Sequence, residues 1–113
     1  MLRNLGFLLT IGLVVTDARL TKAQAKRVAT MADDGLARAV RPAHAPMDGD
    51  TVFAAATLAQ PISDPMAQIT EIGAAAADCL ARAIARGVYC ATIPADGYTG
   101  PPTYQALHSP GST

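Results

Sequence analysis

The sequence predicts an α+β fold whose elements run strand, helix, strand, helix. Three observations carry this. Two short apolar runs, Ile11-Gly12-Leu13-Val14-Val15-Thr16 and Thr51-Val52-Phe53-Ala54-Ala55-Ala56-Thr57, have the length and composition of buried strands. Two longer segments repeat apolar residues at helical spacing behind clear start signals. Breakers, including Pro42, Pro46 and Gly49, separate the first of these from the second strand.

The opening admits two readings. Leu5 to Val15 is an apolar stretch behind Arg3 and ahead of Thr16-Asp17-Ala18, which is the layout of a secretory signal. Its eleven residues fall short of the roughly 20 that span a bilayer. The β-branched, glycine-containing run from Ile11 favours a strand instead. Residues 17–20 then form a short turn. Thr21-Lys22-Ala23-Gln24 has capping-box form and starts a helix that runs to about Val40 and is ended by Pro42. Ala25, Val28, Ala29, Ala32, Leu36, Ala39 and Val40 recur on one side of it, while Lys22, Lys26 and Arg27 can face water.

The loop from Arg41 to Asp50 leads to the second strand. Asp64 is the expected cap of the second helix, Pro65 its first residue and Gly87 its exit. Met66, Ile69, Ile72, Gly73, Ala76, Leu80, Ala83 and Ile84 make its apolar stripe, whose small residues allow close packing. The tail from Ile93 holds much of the proline and glycine, and its last residues, His108 to Thr113, are expected to be disordered.

Composition narrows the function. A chain of 113 residues accommodates one modest domain. Aromatics are 4 % of it and alanine supplies much of the apolar half, so its core is thin in large anchors. Nine basic and nine acidic residues leave no net charge, which argues against nucleic-acid and anionic-membrane partners. Cys79 and Cys90 match no metal spacing; a disulfide is open to them, and two reduced, buried thiols are the expected state.

The acidic pair Asp48-Gly49-Asp50 reads by itself as a turn between helix and strand, since Asp and Gly both suit such turns. A D-x-D cation site would need further ligands. His44 in the same loop is expected to bond to backbone, with no nucleophile near it in sequence. Asp33 and Asp34 read as one solvated and one locally bonded carboxylate, and Tyr98 and Tyr104 as packing over the second helix.

From Thr10 onward the sequence resembles the C-terminal part of the P1 peptidase family, the DmpA-like aminopeptidases that include the nylon-oligomer hydrolases. The matching runs are Thr10 to Ala18, Leu20 to Arg27, Gly35 to His44 and Asp48 to Ala54, and the most specific stretch is Ala37 to Phe53. The resemblance implies an αββα sandwich of the N-terminal-nucleophile type, of which this chain would be a strand-helix-strand-helix fragment. It also implies a self-processing hydrolase of peptides, amides or esters, without cofactor or metal. In such enzymes a precursor cuts itself before a Ser or Thr, whose hydroxyl then attacks substrate while its own α-amine acts as base. An α chain of the same family supplies further groups, and intact relatives are homo-oligomers. Asp48 and Asp50 would be the acidic pair that positions the nucleophile's amine and a neighbouring lysine.

The resemblance breaks at the nucleophile. The family places Asn, the nucleophilic Ser or Thr, and a Thr-like residue before the strand; here those positions hold Leu8, Leu9 and Thr10. Leucine cannot attack a carbonyl. A shift to Thr10 would turn the hydroxyl to the other face of the strand. The expectation is therefore a truncated piece, with residues 1–9 an unrelated apolar leader, 10–107 the family segment and 108–113 a disordered tail. It would be inactive alone and cytoplasmic. A binding fragment that docks on an intact family member and a small exported protein are the alternatives.

Overall fold

The structure, a computed structural model, describes residues 9–94 and 96–109. Its elements are β1 (Ile11–Ala18), α1 (Lys22–Ala39), β2 (Thr51–Gln60), α2 (Pro65–Cys90) and α3 (Tyr104–His108). The expected strand-helix-strand-helix order is present, and α3 is a short addition within the tail that includes His108. Most of the expected leader and residues 110–113 lie outside the described residues.

Both long helices begin where their caps predict. Thr21 Oγ1 accepts the Gln24 N–H at 3.2 Å while Gln24 Oε1 accepts the Thr21 N–H at 2.9 Å, which closes the capping box. Asp64 accepts the Ala67 N–H at 3.3 Å, with Pro65 in the first turn. The far end of α2 corrects the expected exit at Gly87, because the helix continues to Cys90. A helical glycine costs only about 1 kcal/mol relative to alanine. The last turn recovers this through α3: Tyr104 packs on Tyr89 with ring centroids 5.9 Å apart, and Gln105 Nε2 donates to the Tyr89 carbonyl at 2.7 Å. Tyr104 thus packs on the second helix as expected, whereas the Tyr98 hydroxyl donates to the Pro101 carbonyl.

β1 and β2 form a two-stranded parallel sheet, with Ile11 opposite Thr51 and Thr16 opposite Ala56. From there β1 advances two residues to Ala18 while β2 advances four to Gln60, an irregularity at which Leu58 adopts φ 66°. Side chains alternate across the sheet. Gly12, Val14, Thr16 and Ala18 of β1, with Val52, Ala54 and Ala56 of β2, face the helices and are buried or half-buried. Ile11, Leu13, Val15 and Phe53 face the other way and are exposed.

The core lies between the sheet and the helix pair. Ala18, Leu20 and Val28 form its centre, with Val14, Ala54, Ile62, Ile69 and Ile72 packed around them. Ala32 and Leu36 of α1 and Ala77 and Leu80 of α2 are also buried. The helices approach closely because Gly35 lies against the backbone of Ala77 and Gly73 against the side chain of Met31. Met66, expected in the apolar stripe, instead projects into solvent from the first turn of α2, beyond the reach of the sheet. Cys79 and Cys90 are free, but both are exposed rather than buried. No helix among the described residues is long and apolar enough to cross a membrane.

Candidate active site

The loop between α1 and β2 folds back so that Asp48-Gly49-Asp50 meets the residues that lead into β1. The Asp48 N–H donates to the Ala45 carbonyl at 2.9 Å, which sets the turn. The Thr51 N–H donates to the Thr10 carbonyl at 2.9 Å, which extends the ladder one step before β1 begins. Asp50 Oδ1 then accepts the Thr10 N–H at 2.8 Å across 40 residues of sequence. Leu9 lies against Gly49: a Cβ built on that glycine would stand 3.1 Å from Leu9 Cδ1. Position 9, where the family resemblance requires a hydroxyl, therefore lies against the glycine between the two aspartates.

The pair is electrostatically incomplete. Asp48 Oδ1 and Asp50 Oδ2 are shut away from solvent, and no donor among the described residues reaches them. The Asp48 carboxyl is raised above its ordinary value of 3.8, first by a side-chain hydrogen bond with Asp50, then by desolvation and by the charge of Asp50; His44 opposes the rise. A cationic group with N–H donors would satisfy both orphan oxygens and lower the Asp48 carboxyl again.

His44 reaches the site by a route the sequence did not show. Its Nε2 stands 3.6 Å from Asp33 Oδ2 on α1, rather than on a backbone group as expected, and its backbone takes φ 58°. Asp33 precedes His44 by eleven positions, and no spacing rule brings a mid-helix carboxylate onto a loop imidazole. Among the described residues no three His, Cys, Asp or Glu side chains converge as a metal site.

The acidic pair thus lies at the mouth of the parallel strand pair, against position 9. A profile of peptidase family S58 matches residues 9–100, and the chain belongs to that DmpA-like family. It is 46 % identical over 114 residues to the uncharacterized aminopeptidase Rv1333 of Mycobacterium tuberculosis (strain ATCC 25618 / H37Rv), a match that covers 92 % of this chain and 32 % of the relative. The uncharacterized aminopeptidase ML1167 of Mycobacterium leprae (strain TN) is 50 % identical over 105 residues, covering 84 % and 28 %. The chain thus spans about a third of the length of the curated relatives it matches.

Proposed function

We propose that this chain is the nucleophile-bearing portion of an S58-type aminopeptidase or amidase, carrying a leucine in the nucleophile's place. The observation that carries the reading is the contact of position 9 with Asp48-Gly49-Asp50. With Ser or Thr there, and the chain cut before it, the new α-amine would lie beside two carboxylates that each keep an oxygen no donor among the described residues reaches. The hydroxyl would attack the carbonyl of a peptide, amide or ester while the amine takes up its proton; that proton would pass to the departing amine or alcohol as its bond to the carbonyl carbon breaks, and water would then hydrolyse the acyl ester and restore the hydroxyl. Asp48 and Asp50 would orient the amine and, from the remainder of the family's architecture, a lysine. Leu9 has no nucleophilic atom, so the chain as it stands does not carry out the acyl transfer.

The apolar outer face of the sheet supports the wider αββα sandwich. Ile11, Leu13 and Val15 are each more than 60 % exposed, and such a face packs on a second sheet about 10 Å away. The same face favours the non-catalytic alternative, a fragment that assembles on an intact family member. Activity distinguishes the two readings. Leu9→Ser, expressed with residue 9 as its first residue together with the part of the Rv1333 protein that lies outside the match, should hydrolyse an aminoacyl p-nitroanilide. Adding Asp50→Ala should abolish the gain. An assembled but inert Leu9→Ser variant would leave the assembly reading in possession.

A further inference from the structure

We infer that His44, paired with Asp33 of α1, is a positioning residue that clamps the loop between α1 and β2 and so keeps Asp48-Gly49-Asp50 seated against residues 9 and 10. The inference rests on the reading of that acidic pair as the holder of the nucleophile's amine. It gives a role to two side chains that the proposed chemistry does not use.

The loop has few other fastenings. At its start the Val40 N–H donates to the Leu36 carbonyl at 3.0 Å and closes α1. At its end Asp50 and Thr51 are tied to Thr10. Between Arg41 and Met47, the approach of His44 Nε2 to Asp33 Oδ2 at 3.6 Å is, among the described residues, the one ion pair or hydrogen bond that reaches another element.

His44 also sits where the loop reverses. Its φ of 58° lies in the left-handed region, which residues other than glycine enter at a cost and which histidine tolerates better than most. Such a conformation persists where surrounding contacts over-determine it, and Asp33 supplies one here. The next residue, Ala45, offers its carbonyl to the Asp48 N–H at 2.9 Å. Asp50 Oδ1 in turn accepts the Thr10 N–H at 2.8 Å. Asp33, His44, Asp48 and Asp50 thus link the middle of α1 to the entry of β1.

Charge adds a second link. A hydrogen bond with Asp50 and desolvation raise the Asp48 carboxyl, and the imidazole of His44 opposes them. Asp33 faces that imidazole from α1 and Asp48 faces it from its own loop. An imidazole is cationic over the acid range in which carboxylates titrate. Both partners of the clamp are half-exposed, and such a pair adds little to global stability. Its leverage falls on local opening of the loop, which takes far less free energy than unfolding the helices.

Hydrogen exchange on the full chain, resolved at single amides, reads the clamp. His44→Asn keeps a residue that tolerates the left-handed turn and removes the charge. Asp33→Asn removes the other partner. Each should lower protection of the Thr10 and Asp48 amides by about threefold and leave the Val28 and Leu36 amides unchanged. The double variant should lose no more than either single one. Full protection in His44→Asn would show that the turn alone seats the loop, and additive losses would show that the two residues act separately; either overturns the clamp. Losses that spread to Val28 and Leu36 would make the pair an ordinary stabiliser of α1 and overturn it as well. The charge has its own readout in the melting-temperature difference caused by Asp48→Asn. With His44→Asn present, the pH range over which that difference falls should extend upward, because the folded Asp48 carboxyl rises further. An unmoved range would overturn the electrostatic link. None of these readouts needs catalysis, so an inert Leu9→Ser variant with the clamp intact would remove the hydrolase reading and leave the clamp standing.

Discussion

Asp48 carries an inverted pH signature. Its carboxyl is raised in the folded chain, so from 3.8 up to its folded value the native state holds more protons than the unfolded one. Stability contributed by this group is present below 3.8 and is lost as pH rises through that window, opposite to the usual behaviour of a paired carboxylate. Asp48→Asn removes the effect. The melting temperature of the parent minus that of the variant should fall as pH rises above 3.8, and a flat difference would contradict the raised Asp48 carboxyl. A cationic partner that filled the site would lower the Asp48 value and flatten the same difference. Only part of this was legible in the sequence. By type and spacing Asp48-Gly49-Asp50 reads as a turn, and the family resemblance singled the pair out; the contact of Leu9 with Gly49 and of His44 with Asp33 arises from how the loop folds back, which no local pattern encodes.

Between elements, the decisive contacts are made by residues with no side chain. A Cβ on Gly35 would fall on the Ala77 carbonyl oxygen, inside van der Waals contact, and backbone cannot give way without moving a whole helix. A Cβ on Gly73 would meet Met31, whose sulfur and methyl group can swing aside although its own Cβ stands 2.9 Å away. Glycine to alanine normally stabilises a helix interior by about 1 kcal/mol. Here Gly35→Ala should destabilise by about 3 kcal/mol or more, and Gly73→Ala by about 1–2 kcal/mol, read by urea unfolding. Equal effects would show that the helix pair adjusts as a unit. The boundaries follow the same division between local and tertiary causes. Caps at Thr21 and Asp64 are local chemistry and were readable. The passage of α2 through Gly87 depends on Tyr89 meeting Tyr104, and the run of β2 past Thr57 to Gln60 depends on an irregular register with β1, neither of which local composition reveals.

Taken whole, the molecule is extended for its size. Its Cα radius of gyration is 17.4 Å, against about 13 Å for a compact domain of this length, and α2 alone is about 39 Å long. The helices cover one face of the sheet and leave Ile11, Leu13, Val15 and Phe53 bare. Such a patch drives self-association. The chain in isolation should sediment as concentration-dependent oligomers, while Ile11→Lys combined with Phe53→Glu should be monomeric at the same concentrations. Because both side chains are more than half exposed, the pair should change stability by only about 0.5 kcal/mol. A parent that stays monomeric would show that the face is too small to act as an interface.

The parallel pairing of β1 and β2 also dictates when the sheet forms. Ile11 finds Thr51 forty positions downstream, and parallel strands have no hairpin to start from, so the ladder must wait until the intervening helix has brought the strand ends together. The order of events runs from α1 to the sheet, and the strand edges are the last surfaces to acquire a neighbour. Leu36→Ala in α1 should therefore slow refolding, whereas Val52→Ala in β2 should chiefly hasten unfolding. During that interval the chain presents its most adhesive backbone to solution, and folding then competes with aggregation.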